Sequence, residues 1–502
     1  MDLQFTTSAP QSLDVDLLAV IVEEPATLPA SAATLDEQLA GALTRELARG
    51  QVKADAPSIA IVTGAATGPG RIALVGFGPS SDGRADALRV AGSRIANAAR
   101  SAEAHTIAVL VPDVAADVAA VVEGAVLGAF RVHHHRSDAA TPADGSDAKP
   151  RYEGPTTLTM LVDESSESAL VARDSLIATT AQNWARDLAN APANLLTPVE
   201  LANRARQLAD AHGDLHFREL DREGIVGEGL GMFAAVAQGA HDEPRLIVLE
   251  WNPAGAGEAD DERLALVGKA VTFDTGGISI KPSGGMEGMK LDKSGGCAVL
   301  GAMKAIAELG VKRRVIAVVG ATMNMPDGNA YRPGDVITAK DGTTVEVIST
   351  DAEGRLVLGD CITYVKELGC GGIVDVATLT GAMVVAMGHR YTGAIAKPGP
   401  LVDAVVAAAS KTGDHAWHLP IHDEYKGNLK TDCADLKNSG SRDAGALSAG
   451  SFLQHFAKDT PFVHLDIAGT GMLPKPRAWY GAKGASGAAV RLLTELAATW
   501  KA

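Results

Sequence analysis

Short runs of β-branched and aliphatic residues alternate with segments of helical spacing along most of the chain. In the first 130 residues, apolar runs at 14–22, 58–63 and 71–76 predict strands. Apolar positions spaced as on a helix predict helices at 34–49 and 84–103. This alternation predicts a small α/β domain at the N-terminal end of the chain.

A polar, turn-rich segment from His133 to Pro155 separates this domain from the rest. Further on, strands alternate with helices; the strands are predicted at 157–162, 245–251, 264–273, 314–321, 343–348 and 373–378, and the helices at 169–190, 200–212, 294–309, 354–367 and 400–411. This order predicts right-handed crossovers and a mostly parallel central sheet covered on both faces. We therefore expect an N-terminal α/β domain at 1–165, a connecting helix at 166–190 and a larger α/β domain at 191–502.

Composition and charge narrow the class of protein. The net charge is −16, and such a surface does not favour binding to the phosphate backbone of nucleic acids. The four cysteines form no CxxC pair, which is typical of reduced thiols. The sequence has no recognisable signal peptide and no apolar stretch of the roughly 18 residues that a membrane helix needs. We therefore expect a cytoplasmic protein that does not contact membranes.

Acidic residues cluster at two places that point to metal chemistry. Asp351 and Glu353 stand two positions apart where the predicted strand 343–348 gives way to a helix. Taken alone, an acidic pair at this spacing more often marks the first turn of an ordinary helix than a metal site. Upstream, however, Lys269, Asp274 and Asp292 add two carboxylates and an amine. Four carboxylates would balance two divalent cations, and the set therefore favours a two-metal hydrolytic site.

Several stretches of the sequence resemble those of one known family. They are VGKAVTFDTGGISIK from Val267, GMKLDKSGG from Gly288, TDAEGRLVLGD from Thr350 and ATLTGAM from Ala377, joined by RDLANAPANLLTP, DEYKGNLKTDCADLKNSG and HLDIAGT. The set resembles the leucyl aminopeptidases, and the resemblance covers nearly everything after residue 180. One departure is Ser349, where that family usually has Asn. Because Ser can also form local hydrogen bonds, we expect Ser349 to change the local geometry around Asp351 slightly rather than to disrupt it.

The resemblance implies the ligands of two divalent metal ions. By analogy, Asp274 and Glu353 bridge both ions, Lys269 and Asp292 bind one, and Asp351 binds the other. Manganese or zinc is the expected metal, and magnesium or cobalt also suits oxygen-rich ligands with one amine. Lysine is a rare metal ligand and must be neutral to bind, so its role here depends on the resemblance.

The resemblance also implies catalytic and substrate-binding residues. Lys281 would stabilise the developing oxyanion, and Arg355 would hold a bicarbonate that relays a proton from the metal-bridging water. Met289, Thr378 and Gly381 would line the pocket for the first side chain of the substrate. The backbone from Thr378 through Leu379 to Gly381 would receive the peptide.

The same resemblance implies partners and an assembly. The substrates would be short peptides with a free N-terminus, preferably beginning with leucine or another large apolar residue. The protein would be a homohexamer, and its N-terminal domain would have a macro-domain-like fold.

Two other functions remain open from the sequence. A two-metal site could also hydrolyse phosphoryl compounds, although no phosphate-binding loop is evident. Alternatively, the chain could be a regulatory or DNA-binding relative with reduced catalysis. The complete set of candidate ligands and the negative charge weigh against this second alternative.

Overall fold

The computed structural model describes residues 1–23, 27–53, 58–77, 83–132, 152–257, 259 and 263–501. The chain divides into two units, one formed by Met1–Thr180 and Lys475–Lys483 and the other by Ala181–Pro474 and Gly484–Ala502. Most of the predicted polar segment between His133 and Pro155 lies outside the described residues. The domain limits inferred from the sequence stay a prediction.

The N-terminal unit is a small α/β structure. Its described strands and helices are β1 (Asp2–Phe5), β2 (Leu17–Val22), α1 (Ala33–Gln38), α2 (Ala42–Ala48), β3 (Ile59–Thr63), β4 (Arg71–Gly76), α3 (Arg84–Ser101), β5 (Thr106–Leu110), α4 (Ala115–Ala129), β6 (Thr157–Met160) and the start of α5 (Glu167–Asn190). The strands form one sheet in the order β1-β6-β5-β2-β4-β3, in which only β3 pairs antiparallel among the described strands.

One predicted helix of this unit is interrupted. The segment 34–49 forms α1 and α2 instead of a single helix, because Ala40 and Gly41 adopt positive φ angles of 52° and 76°. A left-handed backbone cannot continue an α-helix, and glycine adopts it without steric cost.

The C-terminal unit carries the larger sheet. Its strands are β7 (Leu215–Leu220), β8 (Arg245–Trp251), β9 (Leu264–Asp274), β10 (Val315–Asn324), β11 (Val336–Thr338), β12 (Thr344–Glu346), β13 (Gly372–Ala377), β14 (Thr392–Ala396), β15 (Ala416–Pro420), β16 (Leu436–Lys437), β17 (Phe462–Asp466), β18 (Met472–Leu473) and β19 (Gly484–Ala485). Within the described residues, eight strands form the central sheet in the order β15-β14-β17-β13-β9-β10-β8-β7. Strands β17, β13, β9 and β10 run parallel in its middle. The predicted α/β class with a mostly parallel central sheet is thus confirmed.

Helices cover both faces of this sheet. They are α6 (Pro198–Asp210), α7 (Arg222–Gly227), α8 (Gly231–Ala237), α9 (Ser294–Leu309), α10 (Glu353–Glu367), α11 (Gly381–Met387), α12 (Pro400–Thr412), α13 (Glu424–Gly427), α14 (Gly445–Ala457) and α15 (Val490–Thr499). Alternate residues of β9 point to opposite faces, so Leu264 and Leu266 join one hydrophobic core while Ala265 and Val267 join the other. Because both faces are buried, the strand is an almost continuous apolar run.

The predicted strand 343–348 is not part of the central sheet. Only Thr344–Glu346 is extended, and this β12 pairs with β11 and β16 in a separate three-stranded sheet. The prediction was wrong because the residue pattern of a segment indicates that it is extended, but not which other strands it pairs with. Among the described residues, no helix is both long and apolar enough to span a bilayer.

Candidate metal centre

The candidate ligands come from segments that meet around the C-terminal part of β9. Lys269 lies within β9 and Asp274 ends it, while Asp292 follows a 3₁₀ turn at Met286–Leu291. Glu353 is the first residue of α10, and Asp351 lies just before that helix. Lys269, Asp274, Asp292 and Glu353 are all at most 3% exposed. The structure therefore brings the five sequence-predicted ligands to one place.

Lys269 lies between two of the carboxylates. Its Nζ is 2.7 Å from Asp292 Oδ2 and 2.8 Å from Glu353 Oε1. It also donates a hydrogen bond of 3.2 Å to the carbonyl oxygen of Thr378. Burial alone would lower the pKa of this amine, but the charges of Asp292, Glu353 and Asp274 raise it above the ordinary value for lysine. To bind a metal through nitrogen, Lys269 must lose this proton, and divalent cations among the same carboxylates favour that loss.

Lys281 occupies the more open side of the cluster. Its Nζ is 2.7 Å from Asp274 Oδ2 and also pairs with Asp351 Oδ1. Burial again opposes the charged form, yet the carboxylates around it, Asp274 foremost, raise the pKa of Lys281. Lys281 is therefore a firmly protonated ammonium at the edge of the cluster.

Burial acts in the opposite direction on the carboxyl groups. It raises the pKa of Glu353 to about 8, with a further contribution from the negative charge of Asp274. Burial also raises the pKa of Asp292 to about 6, although Lys269 opposes this shift. Buried carboxylates need a compensating positive charge to stay ionised.

The donor set fits divalent metal ions. One oxygen from each of Asp274, Asp351 and Glu353 lies within 4.8 Å of the others. Glu353 Oε2 is buried without a hydrogen-bond partner among the described residues. Carboxylate oxygens with a single amine are hard to borderline donors, which suit manganese, magnesium and zinc. The residues present thus fit the binding of divalent metal ions.

Glycines allow this close arrangement. A Cβ atom added at Gly354 would lie 2.7 to 2.8 Å from Cε, Cδ and Nζ of Lys269. In the turn after β9, Gly276 has a φ of 86°, and a Cβ there would lie 2.4 Å from the carbonyl oxygen of Ser279. These two positions need glycine because the backbone there passes so close to its neighbours that a side chain would not fit.

The close approach at Gly354 leads to a testable expectation. Gly354→Ala should displace the Lys269 amine and reduce metal affinity about 10- to 100-fold, the usual effect of disturbing the residues around a metal site. Calorimetric titration with manganese measures this. Gly359→Ala is a matched control in the same helix, because its Cβ would meet Met232 and Phe456 in the core at 2.7 and 3.0 Å. An equal loss of affinity in both variants would contradict the special role of Gly354.

Arg355 lies in the first turn of α10 and is 9% exposed. Its Nε is buried and has no hydrogen-bond partner in the described part of the chain. Burial lowers the pKa of this guanidinium to about 10, while the charges of Glu353 and Asp466 oppose the shift. Arg355 therefore carries a positive charge at neutral pH that the surrounding residues leave partly unpaired.

A cavity of about 650 Å³ opens from the cluster to the surface. The candidate ligands, Lys281 and Arg355 line it, and so do the four residues predicted to bind substrate, which are Met289, Thr378, Leu379 and Gly381. Thr378 also donates a hydrogen bond of 2.8 Å to Asp292 Oδ1. The predicted pocket residues and the predicted ligands thus share one cavity.

Sequence reasoning missed residues that support this arrangement. Asn324, fully buried at the end of β10, donates hydrogen bonds to Asp274 Oδ1 at 2.8 Å and to the carbonyl oxygen of Thr350 at 2.9 Å. Asp466 accepts hydrogen bonds from Thr380 Oγ1 at 2.6 Å and from the Leu379 amide at 3.3 Å. A polar residue that ends a buried strand is the signal that could have identified both of them.

Ser349 forms the local hydrogen bond expected of it. Its Oγ accepts a hydrogen bond of 3.2 Å from the backbone amide of Asp351. The side chain of Asn438 contacts the same segment, donating to the Ser349 carbonyl at 2.7 Å and accepting from the Ile348 amide at 2.8 Å. Asn438 is fully buried, so it is a further residue that fixes the approach to Asp351.

Known proteins share this sequence and structure. Residues 183–494 match the catalytic domain of the cytosol aminopeptidase family, and residues 19–139 match the N-terminal domain of the same family. A probable cytosol aminopeptidase of Solibacter usitatus is 47% identical over 383 residues, which is 76% of each chain. Another, of Alkaliphilus metalliredigens, is 39% identical over 500 residues and 97% of each chain.

Solved structures agree with these relatives. A mutant of tomato leucine aminopeptidase superposes with a TM-score of 0.86 at 30% identity, covering 99% of this chain and 96% of that one. The bottromycin maturation enzyme BotP in complex with Mn superposes with a TM-score of 0.83 at 31% identity, covering 96% and 99%. With two domain profiles and near full-length relatives, the chain belongs to the cytosol aminopeptidase family of metal-dependent aminopeptidases.

Proposed function

We propose that this protein removes the N-terminal residue from short peptides, with a preference for leucine and other large apolar residues. One observation carries the proposal: a cluster of four carboxylates, three of them buried, and a buried amine lies in the same cavity as apolar residues and the cations Lys281 and Arg355. The carboxylates suit metal ions, and the apolar lining suits an aliphatic side chain.

Two divalent ions would be held by Lys269, Asp274, Asp292, Asp351 and Glu353. When bound, such ions lower the pKa of coordinated water and polarise the scissile carbonyl group. Manganese or zinc is the proposed metal, with magnesium or cobalt as substitutes. The manganese complex of BotP, which covers 96% of this chain, supports the choice of manganese.

Lys281 and Arg355 are the proposed catalytic residues. The Lys281 ammonium lies beside Asp274 and Asp351, on the side of the cluster that opens to the cavity, where it can donate a hydrogen bond to the oxyanion that forms at the carbonyl carbon. Arg355 offers its charge to a small anion in the cavity, for which bicarbonate is our proposal. An anion held there can accept and return a proton during hydrolysis.

Acidic and apolar groups would bind different parts of the substrate. The carboxylates attract its free α-ammonium group, and Met289, Leu379 and Gly381 line the space for its first side chain. Thr378 is fixed by its bond to Asp292, so the backbone that follows is well placed to receive the peptide. We further propose that the protein is located in the cytoplasm, in line with the family name of the relatives. The proposed homohexamer is what the resemblance of the sequence implies.

The experiment that tests this function is hydrolysis of leucine p-nitroanilide before and after chelation. Exhaustive chelation should abolish turnover, and added manganese, zinc or cobalt should restore it, because the proposed nucleophile is a water molecule that the metal ions would activate. Calcium, which prefers larger oxygen cages, serves as the control ion. Turnover by the chelated protein at the rate of the untreated one would refute the metal-dependent mechanism.

A further inference from the structure

The cavity is also lined by Arg442, which lies in a loop between β16 and α14. The other charged residues that line the cavity are the five candidate ligands together with Lys281 and Arg355. Arg442 is exposed, whereas Lys269, Asp292 and Glu353 are at most 3% exposed. The cavity lining thus combines a mostly buried acidic cluster with an exposed positive charge at Arg442.

The Arg442 guanidinium is available to a ligand. In the ranges that the structure describes, it has neither an ion pair nor a hydrogen bond. Most other surface arginines near carboxylates are paired; Arg204, for example, lies 2.7 Å from Glu200 on α6. A charged side chain that lines a substrate cavity without a protein partner can pair with a charge on the substrate.

The loop that carries Arg442 is held at both ends against walls of the cavity. Before it, the fully buried Asn438 binds the Ile348–Ser349 backbone, which leads to Asp351. After it, Gly445 begins α14, and a Cβ at Gly445 would lie 3.3 Å from the Cβ of Ala382 on α11. Both flanks of the loop therefore pack against segments that line the cavity.

The direction of the substrate follows from this arrangement. The α-ammonium group belongs at the acidic cluster, so the part of the peptide beyond the scissile bond extends away from that cluster, along the cavity that Arg442 also lines. In a dipeptide, the group that arrives there is the terminal carboxylate. In a longer peptide, it is the side chain of the second or third residue.

We propose that Arg442 recognises a carboxylate on the leaving side of the peptide and thereby favours dipeptides or peptides with an acidic residue after the first. This inference rests on the proposed function and adds a specificity residue to it. Arginine suits this task because its planar fork can form two parallel hydrogen bonds with a carboxylate.

The test compares substrates that differ only in the carboxylate. Leu-Gly and Leu-Gly-amide report on the terminal carboxylate, and Leu-Asp-amide and Leu-Asn-amide report on the side chain. In Arg442→Gln, the ratio of kcat/KM for the acid over its neutral partner should fall about three- to tenfold through a higher KM, the range expected for a partly exposed charged contact. Raising the salt concentration should lower the same ratio in the unmodified protein.

Matched variants distinguish recognition of a carboxylate by Arg442 from the effect of the protein's net charge. Arg204→Gln removes one positive charge from a helix outside the cavity lining and should leave both ratios unchanged. Arg442→Glu should reverse the preference, so that Leu-Lys-amide becomes a better substrate than Leu-Asp-amide. A shift in the first pair alone identifies the terminal carboxylate as the ligand, and a shift in the second pair alone identifies the side chain.

A binding measurement keeps the test independent of turnover. The reduced-amide analogue of Leu-Gly and its C-terminal amide cannot be hydrolysed, so calorimetry can compare their affinities in the metal-loaded protein. Absence of leucine p-nitroanilide hydrolysis would refute the proposed function, whereas the acid-to-amide affinity ratio still tests Arg442. Equal ratios in the unmodified protein, Arg442→Gln and Arg442→Glu would overturn the proposal.

Discussion

Glu353→Ala is expected to abolish metal loading and hydrolysis together. Glu353 is 2% exposed, begins α10 and faces both Lys269 and the Asp274–Asp351 side of the cluster. Because Glu353 is the proposed bridge between two ions, its removal leaves each ion with one ligand fewer. The Lys269 amine then keeps Asp292 but loses its second carboxylate partner. We expect kcat/KM to fall by about 10⁴ or more, since the metal-activated nucleophile is lost.

The control for this prediction lies at the other end of the same helix. Glu367 is the last residue of α10, and its side chain is 51% exposed beside Lys340. Glu367→Ala removes the same chemical group but should keep both ions and full activity. Elemental analysis of each purified variant gives the number of ions per chain. Two ions per chain in Glu353→Ala would refute the bridging role of Glu353. Two ions per chain in Asp274→Ala would likewise refute the bridging role of Asp274.

Lys281→Ala should separate catalysis from metal binding. Its ammonium contacts Asp274 and Asp351 but offers no lone pair to a metal while protonated, and the pKa of this group is raised. Removing a donor to an oxyanion commonly costs about 10² to 10³ in kcat. We expect that loss with little change in KM, because the interaction forms chiefly in the transition state.

The neighbouring Lys290 provides the control for Lys281. It lies on the Met286–Leu291 turn and does not line the cavity. Lys290→Ala should therefore retain kcat while losing the same charge. A Lys281→Ala variant that keeps both metal ions and nearly full kcat would show that the oxyanion is stabilised by other groups.

The core of the larger domain could be predicted from the sequence because its strands are buried on both faces. Residues 264–273 read as a long apolar run, and the structure has β9 at Leu264–Asp274. The prediction for 314–321 was equally close, although β10 continues to Asn324. It stopped early because polar residues at the carboxyl end of a buried strand break the pattern that identifies it.

Strand β17 was not predicted from the sequence, because polar residues interrupt its apolar pattern as well. It is fully buried, yet its five residues Phe462–Asp466 include His464 and Asp466. His464 Nδ1 lies 2.6 Å from Asp375 Oδ2 on the adjacent strand β13. Burial lowers the pKa of His464, but the negative charge of Asp375 more than offsets this, and the net shift is upward. Sequence alone cannot show that two polar residues 89 positions apart pair inside a core.

Candidate ligands were easier to predict than the rest of the cavity. Asp351 and Glu353 are two positions apart in the sequence, and Lys269 and Asp274 are five positions apart. Arg442, in contrast, lies in an exposed loop without apolar periodicity, and only the fold brings that loop to the cavity. Local patterns thus identified the chemistry, while long-range packing determined which surface residues surround it.

Anomalous diffraction from manganese-loaded crystals tests the two-metal site most directly. We expect two peaks per chain, roughly 3.5 to 4 Å apart as in other two-metal sites. One peak should contact Lys269 and Asp292, the other should contact Asp351, and both should contact Asp274 and Glu353. A single peak, or two peaks away from these five residues, would contradict the assignment of the metal centre.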